Sequence, residues 1–219
     1  MDKLRMFVDY RPMDKKLGPI LIVEDLKNIR EMLEITLRFR GYDVMTASNG
    51  REALQLVAQT RPCLLITDIL MPTMDGFTLV HNLRHLPNLR DLPVIFLSAT
   101  YTKAEDMDFA QKLGAEKFLK KPYNVDDLMM AVDKALNDHY SQPGGLEGAE
   151  FSARHRERLQ QKLTYKNDLI NRMEKLLQNL PTEQRKQFEL LLTAERIERD
   201  IVAEALGDSK QVLPSNMSA

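Results

Sequence analysis

The sequence predicts an α/β fold: a doubly wound, five-stranded parallel sheet in the order 2-1-3-4-5, followed by an α-helical hairpin or coiled coil. Three observations carry this expectation. Between residues 18 and 140, short uninterrupted apolar runs alternate five times with longer amphipathic ones. A glycine-rich break follows at 141–148. Beyond it the apolar residues change spacing, to alternating steps of four and three.

Ile20-Leu21-Ile22-Val23 is the first strand. Four β-favouring residues without a polar interruption suit a sheet covered on both faces. A helix over Leu26–Arg40 follows, with Ile29, Leu33 and Leu37 on one stripe and Gly41 as its stop. Tyr42–Ala47 is the second strand, and Asn49–Thr60 the second helix, capped by Asn49. Cys63–Thr67, Pro93–Leu97 and Lys117–Leu119 supply the remaining strands. The helices between and after them are Asp75–Leu86, Lys103–Leu113 (stopped at Gly114) and Val125–Tyr140. Five βα units in series require crossover connections, and hence a parallel sheet with helices on both faces. The expected organisation is an N-terminal extension over 1–17, the α/β domain over 18–140 and a flexible linker over 141–150. A helical hairpin over 151–206 and a loose tail over 207–219 complete it.

Lys and Arg number 31 against 32 Asp and Glu, a formal charge of −1 that gives no bulk electrostatic case for nucleic acid. Cys63, the one cysteine, sits in an apolar run and reads as a small core residue. The first 18 residues lack a signal peptide's apolar core, and no run is long enough to span a bilayer. A cytoplasmic, soluble protein is expected.

In sheets of this type, chemistry gathers at the carboxyl ends of the strands. Glu24 and Asp25 follow the first strand, Asp68 ends the third, Ser98 follows the fourth and Lys121 the fifth. Taken singly, each has an ordinary explanation: a strand-end Asp is usually a turn former or helix cap. Five such residues at matching strand ends point to one site. Three neighbouring carboxylates repel unless a cation joins them, and Mg²⁺ suits carboxylate oxygens, waters and phosphate. A carboxylate beside it is a competent nucleophile toward a phosphoryl group, giving an acyl phosphate. Mg²⁺, Lys121 and Ser98 would stabilise charge on the equatorial oxygens.

Four segments then carry a resemblance: Val23-Glu24-Asp25, Thr67–Gly76, Leu97-Ser98-Ala99 and Phe118-Leu119-Lys120-Lys121-Pro122. Over residues 18–140 the chain resembles the receiver domains of two-component response regulators, a flavodoxin-like fold. The resemblance implies Asp68 as phosphoacceptor, fed by a histidine kinase or histidine phosphotransfer protein. It implies Mg²⁺ held by Glu24, Asp25, Asp68 and the main-chain carbonyl of Leu70, with Asp25 the more direct ligand of the acidic pair. Ser98 and Phe118 would be the switch pair, Lys121 rather than Lys120 the phosphate-contacting lysine, and Lys121-Pro122 a cis bond. The chemistry implied is Mg²⁺-dependent self-phosphorylation and autodephosphorylation, with no separate catalytic output domain. Glu24 stands where that family more often has Asp, and Ser98 where it has Thr.

His155 near the start of the long helix reads as a solvated surface residue rather than a phosphohistidine, and His81, His85 and His139 show no metal-ligand spacing. Leu159, Leu163, Ile170, Met173, Leu177 and Leu180 form a heptad series with Lys166 its polar member. Pro181-Thr182 breaks it, with Thr182 as cap, and Leu190, Leu191, Ala194, Ile197, Ile201 and Ala205 line a second helix. The balanced charges and the lack of a glycine-bearing helix-turn-helix argue against DNA. Two such helices bury little alone, so a homodimer pairing two hairpins is expected. The rival expectation is an adaptor whose receiver is a docking surface, or the front of a longer signalling protein.

Overall fold

A computed structural model of the protein describes residues 18–101, 103–137 and 145–208. The expected extension at 1–17, the core of the linker at 141–144, His139 and the tail beyond 208 lie outside the described residues. The elements run β1 (Ile20–Val23), α1 (Lys27–Phe39), β2 (Val44–Ala47), α2 (Gly50–Val57), β3 (Leu64–Asp68), α3 (Gly76–Arg84), β4 (Val94–Ser98), α4 (Ala104–Lys112), β5 (Lys117–Lys120), α5 (Val125–Asn137), α6 (Gly148–Asn179) and α7 (Thr182–Asp208). All pairings in the sheet are parallel and the order is β2-β1-β3-β4-β5, as the sequence predicts.

Strand periodicity sorts the apolar residues between two cores. Ile20, Ile22, Leu64, Ile66, Ile95 and Leu97 pack with Leu33 and Leu37 of α1 and Leu128 and Val132 of α5. Leu21, Val23, Leu65, Val94 and Phe96 pack with Ala53 of α2, Phe77 and Val80 of α3 and Phe109 of α4. Both faces are covered, which is why the strands read as continuous apolar runs.

The helix ends follow local rules. Asn49 Oδ1 accepts the Glu52 amide at 3.0 Å, and Glu52 returns the favour to the Ser48 amide at 2.7 Å. Gly41 and Gly114 follow α1 and α4 at φ 87° and 76°, the left-handed stop that glycine adopts without strain. Buried Arg84, the last residue of α3, donates to the carbonyls of Leu92, Leu113 and Gly114 at 2.7, 3.1 and 2.9 Å. It thereby ties α3 to the chain leaving α4, a role its sequence position gave no reason to expect.

The C-terminal helices differ from expectation in three ways. First, α6 starts at Gly148, so residues 148–150 belong to the helix rather than to the linker. Second, α6 is not free of the α/β domain: Leu146 and Phe151 are buried in the same core as Phe77 and Phe109. The expectation of a flexible linker running to residue 150 fails because an apolar helix start finds an apolar cleft between α3 and α4. Third, Leu159 and Ile170 of the heptad series are already buried within one chain, with Leu163, Met173, Leu177 and Leu180 partly covered. α6 and α7 pack as an antiparallel hairpin whose register is marked by Lys166 with Glu195 and Glu198, and by Glu174 with Arg196. Thr182 is the first residue of α7. Of the α7 stripe, Leu190, Leu191 and Ile197 remain well exposed, while Leu192 and Val202 are the residues buried instead. No helix among the described residues is long and apolar enough to cross a membrane.

Candidate functional site

β1 and β3 are neighbours, so their ends carry Glu24, Asp25 and Asp68 to one point on the carboxyl edge. One carboxylate oxygen of each lies within 4.8 Å of the others. Lys121, just past β5, reaches across the edge: its Nζ donates to Asp68 Oδ2 at 2.6 Å and to Glu24 Oε2 at 2.7 Å. Lys120 is an exposed residue of β5. The Lys121-Pro122 bond is cis. Asp68 Oδ1 accepts the Ile69 amide at 2.6 Å. Arg30 on α1 donates to the main-chain carbonyls of Glu24 and Asp25 at 2.5 and 3.2 Å, fixing the acidic turn.

The electrostatics are those of an anion-crowded pocket. Burial, then Asp68, push the Glu24 carboxyl up to about 7, against the pull of Lys121. Asp25 is raised by burial and by Asp68, and Asp68 is raised by burial against Lys121. Burial disfavours the Lys121 ammonium, but Asp68 and Glu24 outweigh it and hold the amine above the usual lysine range. One lysine thus answers three carboxylates, and Glu24 Oε1 is buried with no hydrogen-bond partner among the described residues. An all-oxygen donor set with an orphaned buried oxygen fits a hard divalent cation.

Close approach shapes the loop beside Asp68. A Cβ on Gly76 would meet the Asp68 carbonyl oxygen at 2.2 Å, so only glycine fits there. Thr73 takes φ 70°, a costly conformation for a β-branched residue and one that concentrates at working sites. Asp75 caps α3, its Oδ1 accepting the Phe77 and Thr78 amides at 3.0 Å each.

Not every expected residue converges. Ser98 ends β4 beside β3, and its buried hydroxyl faces its own loop, accepting the amides of Thr100 at 3.1 Å and Tyr101 at 2.9 Å. Phe118 on β5 pairs with Phe96 and packs partly buried against the core on the α2–α3–α4 side, away from the acidic edge.

His155 corrects the reading of a solvated helix surface. It is buried, with Nε2 3.1 Å from Asp75 Oδ2 and 3.3 Å from Thr78 Oγ1. Burial pushes the Asp75 carboxyl up, but His155 and the Thr78 bonds outweigh it and hold it below the usual range. Phe151, one turn earlier, stacks on His81 with ring centroids 3.9 Å apart. Arg158, one turn later, pairs with Asp106 and lies 5.0 Å over the Phe109 ring. The signal was present as a four-residue spacing, Phe151-His155-Leu159, which extends the apolar stripe toward the N-terminus.

Comparison with known proteins settles what this edge belongs to. The family model for the response regulator receiver domain matches residues 20–133, more than half of the chain. The chain belongs to that family. Response regulator MprA of Mycolicibacterium vanbaalenii is 35% identical over 133 residues, covering 61% of this chain and 56% of its own length. The chain therefore spans little more than half of that relative. Among solved structures, Vibrio cholerae chemotaxis protein CheY4 is 34% identical, covers 55% of this chain and 99% of its own, and superposes with TM-score 0.52. The signal receiver domain of a signal transduction histidine kinase from Syntrophus aciditrophicus is 39% identical, covering 54% and 89%, with TM-score 0.50. The family match ends before α6, so α6 and α7 lie beyond what it describes.

Proposed function

We propose that this receiver accepts a phosphoryl group on Asp68 from the phosphohistidine of a histidine kinase or phosphotransfer protein and relays the signal as a phosphorylation-dependent change of shape. The observation that carries this reading is the clustering of Glu24, Asp25 and Asp68 with Lys121 at 2.6 Å from Asp68. Mg²⁺ would be held by Glu24, Asp25, Asp68 and the Leu70 carbonyl, and when bound it neutralises charge on the phosphoryl oxygens. Asp68 supplies the attacking carboxylate oxygen. The O–P bond forms as the bond from phosphorus to the donor's imidazole nitrogen breaks, its electron pair leaving with the nitrogen. Lys121 moves from an Asp68–Glu24 bridge to a charge-assisted contact with a phosphoryl oxygen. Ser98 turns its hydroxyl toward another, with Phe118 following as the second half of the switch. This is self-modification rather than turnover of a substrate, in a protein expected to work in the cytoplasm.

The test is phosphorylation by acetyl phosphate, which releases acetate, with the acyl phosphate located by reductive trapping. Labelling should require Mg²⁺ and map to Asp68, while Asp25→Ala should raise the Mg²⁺ requirement by about tenfold or more. A protein that cannot be labelled would turn the reading to an adaptor with a docking receiver.

Residues 18–140 then serve as the receiver and the α6–α7 hairpin as a dimerising output element. Support for a second copy comes from the outer face of α7. Leu190, Ala194 and Ile197 are exposed and Ile201 partly so, at heptad spacing of four, three and four. Pairing two α7 helices hides that stripe, at about 25 cal/mol per Å² of apolar area. Light scattering on the full chain should report a dimer, and Leu190→Glu with Ile197→Glu a monomer. A monomeric parent protein at micromolar concentration would end the dimer reading.

A further inference from the structure

The loop that follows Ser98 is held from two sides. On the inside, Ser98 Oγ accepts the Thr100 and Tyr101 amides. On the outside, the hairpin takes hold of the same two residues. Lys162 of α6 donates to the Thr100 carbonyl, and its ammonium lies 4.8 Å from the centre of the Tyr101 ring. The Thr100 hydroxyl donates to Glu198 of α7 at 3.3 Å. Glu198 is itself fixed by buried Lys166 at 2.7 Å, which also bonds Glu195 at 2.6 Å. Arg158 extends the grip onto α4 through Asp106, whose other carboxylate oxygen accepts the Lys103 amide at 3.0 Å and so closes the helix start.

We infer that the α6–α7 hairpin is a clamp on the β4–α4 loop that holds Ser98 turned away from Asp68 and so restrains phosphorylation, and that phosphorylation in turn loosens the hairpin. This rests on the reading of Asp68 as phosphoacceptor. The Ser98 hydroxyl has two lone pairs and both amides lean on them. If it swings to a phosphoryl oxygen, Thr100 and Tyr101 lose their acceptor and the loop must rearrange to find others. The loop is the seat of Lys162 and the partner of Glu198, so the rearrangement breaks the hairpin's contacts with it. Coupling between two sites is reciprocal in free energy: whatever stability the clamp takes from the phosphorylated state, phosphorylation takes from the clamp. The hairpin thereby senses Asp68 through the α3–α4 side of the receiver, where its own helix start is buried.

The experiment uses the full chain. Initial rates of phosphorylation by acetyl phosphate at saturating Mg²⁺ are compared for the parent protein, Lys162→Met and Glu198→Gln, with Arg61→Met as a remote control. Amide hydrogen exchange over 151–166 is followed in each protein before and after labelling. Lys162→Met keeps the apolar stem over Tyr101 and removes the charge. It should label about fivefold faster or more, because a larger fraction of the chain then has its loop released. Glu198→Gln should move the same way and Arg61→Met not at all. Exchange over 151–166 should quicken on labelling of the parent and be quick already in Lys162→Met. Equal rates in all four proteins, or exchange that labelling leaves unchanged, would overturn the clamp while leaving Asp68 as acceptor. A parent protein that takes no label overturns both.

Discussion

Asp68→Asn should abolish acyl-phosphate formation while leaving the fold in place. Asp68 ends the central strand, with its neighbours Thr67 and Ile66 fully covered by the two cores. Asparagine has the same shape, and its amide oxygen can still accept the Ile69 amide that Oδ1 now takes. What disappears is the anionic oxygen. An amide offers phosphorus no comparable nucleophile, so the loss is complete at any donor concentration. Loss of Lys121 or Ser98 would instead slow transfer or uncouple it. The substitution also changes the crowding: Glu24 and Asp25 lose the anion that helps raise both, and Lys121 keeps Glu24 as its partner. Folding stability should therefore change little compared with the total loss of label. Intact-protein mass after acetyl phosphate treatment, read beside a denaturation curve, checks both halves. Undiminished labelling of a folded Asp68→Asn protein would place the nucleophile elsewhere.

The sheet and its edge were legible because their rules are local. Ile20–Val23 and Leu64–Asp68 are too apolar to be anything but strands covered on both faces, and short βα units leave little freedom in how they wind. Strand order then brings Glu24, Asp25, Asp68 and Lys121 together without any knowledge of side-chain conformation. The hairpin was harder. Phe151 and His155 meet Phe109, His81 and Asp75 across 40 to 80 residues of chain, and nothing local records those contacts. Asp75 already had a sufficient explanation as the α3 cap, so its second oxygen, bonded to Thr78 and His155, raised no question. Lys166 showed itself as a polar break in an apolar series, yet its partners lie on the other helix, at positions fixed only by the register of the hairpin. On α7 the spacing found one apolar face, whereas Leu192 and Val202 form another. Periodicity finds faces; it does not say which of two is turned inward.

Acidification should loosen the docking of α6, and His81 is the group responsible. Its ring is buried, stacked 3.9 Å from Phe151 and 4.5 Å from the His85 ring, with Nδ1 lacking a partner among the described residues. Burial first, then the neighbouring His85 and His155, push it down from 6.5 to about 4. Protonation there would put an imidazolium in an apolar cleft beside two other imidazoles. Between pH 6.5 and 4 the unfolded chain carries the proton and the folded chain does not, so acid favours unfolding throughout that window. Stability attributable to His81 is full above 6.5 and falls by about 3 kcal/mol on descending to 4, at 1.36 kcal/mol per pH unit. That is a large part of the 5–15 kcal/mol that holds a typical domain. Asp75, held below the usual carboxylate range by His155, gives way only below this window. Glu24, raised from 4.5 to about 7, and the raised Asp25 and Asp68 act with the opposite sign in an overlapping window, so the wild-type profile alone blends them with His81. His81→Phe separates them: phenylalanine keeps the stack on Phe151 and has nothing to titrate, while Glu24 is unchanged. Urea denaturation from pH 7 to 4 should show wild type losing about 3 kcal/mol more than His81→Phe, with hydrogen exchange over 148–159 rising in parallel. Profiles that run parallel through the window would show that the buried imidazole is not what acid attacks.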